Sequence, residues 1–199
     1  HKLSGKDLVI ILVSAGAAGE PWDDLAAHFA PARAVQLVLS DKGEDEAEAF
    51  GAGTGRFLLA DTASALEAMA HRAKELGLKA IIGGADLGGE TLDIAGRIAR
   101  SLGEGEFDGY DIVLFGGRTV MAAEHQDGEA GGRNGLYCQA SAAGLSKSAK
   151  DWTLAALSSD GMDPDKKSAG AIVDASGLSA IRTGPTGTAA GDLAVYLIK

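Results

Sequence analysis

Apolar residues along the chain fall into short runs separated by polar, glycine-rich stretches. DLVIILV (7–13), AVQLVLS (34–40), RFLLA (56–60), LKAIIGG (78–84), YDIVLFGG (110–117), DWTLAALSS (151–159) and DLAVYLIK (192–199) have the length and β-branched or leucine-rich content of strands. Most are apolar throughout rather than alternating, as parallel strands covered on both faces are. Between them the period lengthens. After Asp61 or Thr62 as N-cap, Leu66, Met69, Ala73 and Leu76 share one helical face, and Gly77 stands where a left-handed residue would end the turn. Gly89 to Leu102 repeats the form, with Leu92, Ala95, Ile98, Ala99 and Leu102 inward and Gly103 after it. A further helix is predicted over 133–150, and loops over 43–55 and most of 160–191, the latter broken by strand-like AGAIVD and LSAIRT.

Strand, helix, strand recurs, which predicts an α/β fold with a mainly parallel sheet and helices on both faces, Rossmann-like. With 199 residues the chain suits a single compact domain over 1–199. Its 46% hydrophobic and 23% charged content is that of a folded globular protein. Aromatics are only 5%, whereas the 29 glycines are about twice the usual share of roughly 7%. Glycine lets backbone approach a neighbour or a ligand closely.

A net charge of −10 without clustered Lys and Arg argues against a nucleic-acid partner, so an anionic ligand needs a local site. The lone Cys138 excludes an internal disulfide and a cysteine-based zinc site, and fits a reducing compartment. The longest apolar run, LVIILV at 8–13, is far too short to span a bilayer, and no signal peptide opens the chain, so the expectation is a cytoplasmic protein with no membrane partner. The chain starts at His1 rather than Met, as a tag remnant or a cut piece of a longer chain would. Assembly into a homo-oligomer is compatible with the sequence.

In open α/β sheets ligands collect at the carboxyl ends of strands, where loops and helix N-termini present N–H groups. Four glycine-rich loops qualify: SAGAAG (14–19), GGADLGGE (83–90), FGGRTV with GEAGGRN (115–134), and TGPTGT (183–188). None is a Walker loop or a dinucleotide fingerprint, and each alone is as well read as an ordinary strand-to-helix turn. GEAGGRN says more, because Arg133 and Asn134 follow two glycines at a helix start, where a guanidinium suits a phosphate or carboxylate. The alternative is an exposed arginine on a first turn, mildly disfavoured by the helix dipole. SSDGMDPDKKSAGAIVD (158–174) breaks the calcium-loop pattern at Lys167, but Asp160 or Asp163 suffices for magnesium held partly by phosphates; the plain reading is an Asp-Gly, Asp-Pro turn. His28, His71 and His125 share no ligand spacing, and His71 falls on a solvated helical face.

These stretches, in this order, resemble the glycerate 2-kinase family whose C-terminal part is the MOFRL domain, some members of which carry the label hydroxypyruvate reductase. DLVIILVSAGAAG is similar to the family's apolar strand and Ser-Gly-Gly-Gly-Ser loop, and AVQLVLSDKGEDE to its strand ending in Ser-Asp. LLADTASALEAMAHRAKELG is similar to its Gly-Asp-Asn segment and helix. FGGRTVM stands where the family has Gly-Gly-Glu-Thr-Thr-Val, and GGRN where it has Gly-Gly-Arg-Asn-Gln-Glu. SSDGMDPDKKSAGAIVD and TGPTGTAAGDLAVYLIK match its last two motifs.

The resemblance implies a MOFRL domain plus part of the preceding family domain, and transfer of the ATP γ-phosphoryl group to the 2-hydroxyl of glycerate or a similar small hydroxy acid, with ATP and Mg²⁺. It implies Arg133 and Asp160 as catalytic, Ser14, Gly16, Asp61, Gly132, Asn134 and Thr186 as substrate- or phosphate-binding, and Asp41 and Asp163 as metal-binding. The chain departs from the pattern at Arg118, at Gly135-Leu136, at Pro164 to Lys167, and in having no counterpart of the family's catalytic lysine region before Lys6. A non-catalytic anion- or nucleotide-binding regulatory module is therefore the alternative, and a hydroxypyruvate reductase a third reading without a dinucleotide fingerprint.

Overall fold

The computed structural model describes residues 8–14, 33–39, 55–123, 132–147, 151–162, 168–186 and 190–198. The chain divides into two compact units, His1–Asp61 with Thr188–Ala190, and Thr62–Gly187 with Gly191–Lys199.

In the first unit β1 (Leu8–Ser14), β2 (Arg33–Leu39) and β3 (Gly55–Ala60) form a parallel sheet in the order β1-β2-β3, with Leu8 opposite Arg33 and Val35 opposite Gly55. Here the expectation from unbroken apolar runs holds.

The second unit carries α1 (Thr62–Glu75), β4 (Ala80–Leu87), α2 (Thr91–Gly103), β5 (Ile112–Gly117), α3 (Gly132–Leu145), β6 (Trp152–Ser158), β7 (Gly170–Asp174), β8 (Gly177–Ile181) and β9 (Asp192–Ile198). Its sheet runs β4-β5-β9-β6-β7-β8. Only β4 and β5 pair in parallel; β9 is antiparallel to both β5 and β6, and β6-β7-β8 is an antiparallel meander. The class is α/β as expected, but the mainly parallel sheet is corrected to a mixed one. Burial explains the difference, since a strand between two neighbours and under helices reads as a continuous apolar run whichever way it points.

Helices cover both faces of this sheet. Successive strand residues point to opposite sides, so in β5 Val113 and Phe115 join Ile94, Ala95, Ile98 and Ala99 of α2 and Tyr137 and Cys138 of α3 in one core. Leu114 and Gly116 face the other way, toward α1, whose Thr62 and Leu66 lie against Gly116. Aromatic rings meet in that core: Phe115 meets Phe107 and Tyr196 edge to face, with ring centres 5.8 and 5.9 Å apart.

Helix ends follow local chemistry. At the end of α1, Gly77 has φ +79°, its N–H bonds Lys74 O at 3.0 Å and Leu78 N–H bonds Ala73 O at 3.0 Å, the paired bonds of a Schellman stop. Leu76, expected inward, lies beyond the last helical residue and is 60% exposed. Helix α2 begins at Glu90, whose Oε2 accepts from Leu92 N at 2.7 Å and Asp93 N at 3.0 Å. It runs through Gly103 and stops before Gly105, at φ +85°. Strands β7 and β8 form a hairpin closed at Asp174, whose Oδ1 accepts from Ser176 Oγ and N, holding that carboxyl below its ordinary range. His71 is solvated as expected, beside Glu75 on the exposed side of α1.

Candidate functional site

Strand directions bring several loops of the second unit to one rim. Because β9 is antiparallel to β5 and β6, the carboxyl ends of β4, β5 and β6 lie beside the start of β9, with Asp192 opposite both Gly117 and Ser158. The chain leaves β5 at this rim and re-enters as α3, and it leaves β8 here into 183–186.

The β4 and β5 exits are zipped together. Arg118 N–H bonds Leu87 O, Val120 N–H bonds Gly89 O and Thr91 N–H bonds Val120 O, at 2.8, 2.8 and 2.9 Å. The Thr91 hydroxyl lies 3.0 Å from Thr119 Oγ1, both side chains being buried. Gly117, at φ +142°, permits this: a Cβ there would sit 2.2 Å from Leu87 N. Arg118, where the family pattern has Glu, is exposed.

Arg133 and Asn134 occupy the first turn of α3 behind Gly132, which has φ +82°. Both are buried. Arg133 Nε donates to Asp192 Oδ2 at 2.7 Å and Nη2 pairs with the same oxygen, while Asn134 Nδ2 lies 3.5 Å from Asp192 Oδ1. A guanidinium at a helix N-terminus faces the positive end of the dipole, and a buried one needs an acid. Asp192 meets that need.

Behind β6, Asp160 Oδ1 accepts from Met162 N at 2.8 Å, the Asp-Gly turn read from the sequence. This turn is tied to the TGPT loop. Thr186 N–H bonds Asp160 O at 3.0 Å and its hydroxyl bonds Ser159 O, while Gly161, φ +81°, packs so closely that a Cβ would fall 1.9 Å from Gly184 O. A cavity of about 20 Å³, room for about one water, lies between Gly117, Thr119, Asn134, Tyr137 and Asp192.

The rim thus gathers Gly132, Arg133, Asn134, Asp160 and Thr186 of the residues singled out in the sequence. Ser14 ends β1 and Asp61 precedes α1, both in the first unit. Gly16, Asp41 and Asp163 lie outside the described residues. Asp192 and Thr119 escaped the sequence reading. Asp192 carried a signal: it is the only acid after Asp174, and it opens an otherwise apolar strand. Among the described residues no three His, Cys, Asp or Glu side chains cluster as metal ligands. Asp160 is a described rim acid bonded to Met162 N rather than to Arg133, which fits a cation held by a single carboxylate and ligand phosphates.

This mixed sheet with helices on both faces belongs to a fold shared with a solved glycerate kinase. The solved glycerate kinase of Thermotoga maritima superposes with a TM-score of 0.74 at 20% identity, over 100% of this chain and 74% of that one. A solved Pyrococcus horikoshii protein gives 0.69 at 19% identity, over 98% and 72%. Residues 111–190 match the MOFRL family. The glycerate 2-kinase of Pyrococcus horikoshii is 30% identical over 131 residues, 63% of this chain; the match spans 29% of that relative's length. The second unit thus carries a stretch similar to the MOFRL family, on a fold shared with the solved glycerate kinase, and the chain spans less than a third of the length of the curated relative it matches.

Proposed function

We propose that this protein transfers the γ-phosphoryl group of ATP to the 2-hydroxyl of glycerate or a similar small hydroxy acid, with Mg²⁺, in the cytoplasm. The observation that carries the reading is the convergence of the GGRN turn with the Asp160 turn and Thr186 loop at one rim. Phosphoryl transfer asks a protein chiefly to position two reactants and neutralise charge. Arg133 and Asn134 would bind the phosphate or the substrate carboxylate, with Gly132 letting backbone come close. Thr186 would line the same rim; Ser14 and Gly16 are proposed as phosphate-binding on the motif resemblance alone. Asp160 would orient the reacting groups, and Asp61 is proposed as substrate-binding on the motif resemblance alone. On the motif resemblance Asp41 and Asp163 are proposed as metal-binding, for Mg²⁺, which when bound would offset charge on the phosphoryl oxygens.

The test is formation of 2-phosphoglycerate from glycerate and ATP, dependent on Mg²⁺ and lost in Arg133→Ala while Arg133→Lys keeps a fraction. Undiminished turnover in Arg133→Ala would reject the site. A second reading, a non-catalytic anion- or nucleotide-binding module, is favoured by one observation: the Arg133 charge is already matched by Asp192. Nucleotide binding without turnover of any hydroxy acid would select it.

A further inference from the structure

Asp192 is built into the sheet between two strands. Its backbone sits at the head of β9, opposite Gly117 on one side and Ser158 on the other, and Ser159 N–H bonds the preceding Gly191 carbonyl at 3.0 Å. A carboxylate on such a platform has little freedom beyond its own rotamer. Both its oxygens are directed at one dipeptide, Oδ2 to Nε and Nη2 of Arg133 and Oδ1 toward Nδ2 of Asn134. The two side chains of the ion pair are only 11% and 12% exposed, so solvent does little to screen or replace the contact. The Asp160 carboxylate makes no such pair, its Oδ1 accepting instead from Met162 N in its own turn.

We propose that Asp192 is a positioning residue, whose carboxylate sets the Arg133 guanidinium and the Asn134 amide for the anion this rim takes. The proposal rests on the functional reading above and deepens it: Asp192 acts through Arg133 and Asn134 and does not itself touch the ligand. Arginine loses little freedom per bond once its planar fork is oriented, so a fixed acid behind it converts a long, mobile side chain into a preorganised donor. The two residues come from the middle and the last strand of the second unit, 59 positions apart, so that the orientation exists only in the folded chain.

The experiment uses the full chain and Mg·ATP as probe, titrated by calorimetry into wild type, Asp192→Asn and Asp192→Ala, with thermal melts in sodium formate against sodium chloride. The expected result is at least a tenfold loss of affinity in Asp192→Ala and a smaller loss in Asp192→Asn, which keeps an acceptor for Nε but no charge. Formate, a free carboxylate, is expected to raise the melting temperature of Asp192→Ala and recover part of its affinity, and to do neither in the Arg133→Ala/Asp192→Ala double variant. Affinity equal to wild type in both single variants overturns the proposal. Tighter binding by Asp192→Ala also overturns it, by showing that Asp192 stands in the anion's place. Should wild type bind no Mg·ATP, the functional reading fails by itself, and the formate response still decides: its absence in Asp192→Ala overturns the positioning role. If Asp192→Ala does not fold, the Asp192→Asn titration decides.

Discussion

The hydroxyl of Tyr196 donates to the hydroxyl of Tyr137 across 2.7 Å, and Ser141 Oγ lies 3.0 Å from Tyr196 on its other side. All three residues are buried, so the chain of hydroxyls satisfies itself inside the core between α3 and β9. Removing the middle member leaves two buried polar groups without it. Tyr196→Phe is expected to cost about 1–3 kcal/mol, and Tyr137→Phe/Tyr196→Phe less than the sum of the single variants. Urea unfolding of the four proteins measures both.

The same pair sets an alkaline limit. Burial pushes both phenols above their ordinary value of 10.0, against the hydrogen bonds that partly offset it for Tyr137. The unfolded chain therefore releases these protons near pH 10 while the native protein keeps them, so the unfolded state binds fewer protons and stability falls as pH rises beyond that point. The contribution is full below pH 10 and is lost on the way to the raised folded values. Melting temperature followed from about pH 8 to about pH 11 should fall more steeply for wild type than for the double Phe variant. Parallel curves would refute the account.

Gly161 is expected to be the least replaceable glycine of the rim. Alanine there meets both a left-handed φ of +81° and the Gly184 carbonyl, so one of the two loops must move. At Gly77 the φ is +79° but nothing lies within 4 Å. Gly77→Ala should cost about 1 kcal/mol from the backbone alone, and Gly161→Ala more than about 3 kcal/mol. Chemical denaturation compares them, and equal losses would mean that the Asp160 turn and the TGPT loop are not locked together.

Glu90 caps α2 with Oε2 while its Oε1 is buried without a hydrogen-bond partner. An orphaned buried oxygen offsets part of what the cap contributes. Glu90→Ser, a preferred cap without the extra oxygen, is expected to hold or raise the melting temperature, whereas Glu90→Ala should cost about 1 kcal/mol. A clear drop for Glu90→Ser would show that Oε1 does have a use.

Local features were legible because local chemistry makes them. The seven apolar runs, the Gly77 stop, the apolar stripe of α2 and the Asp160 turn depend on residues close in sequence, and each lies where the residues place it. Strand β8 was read only as a strand-like piece, and its burial shows why: four of its five residues are exposed, so no apolar pattern marks it.

What the amino-acid order determined was a set of elements, a rim rich in glycine and an arginine at a helix start. What only the tertiary structure decided was direction and partnership: that β9 runs antiparallel between β5 and β6, and that this places Asp192 against Arg133. Apolar burial is the same for a strand pointing either way, and a charge pair spanning 59 residues has no local signature, so both are settled where hydrogen-bond register and buried charge must be satisfied at once.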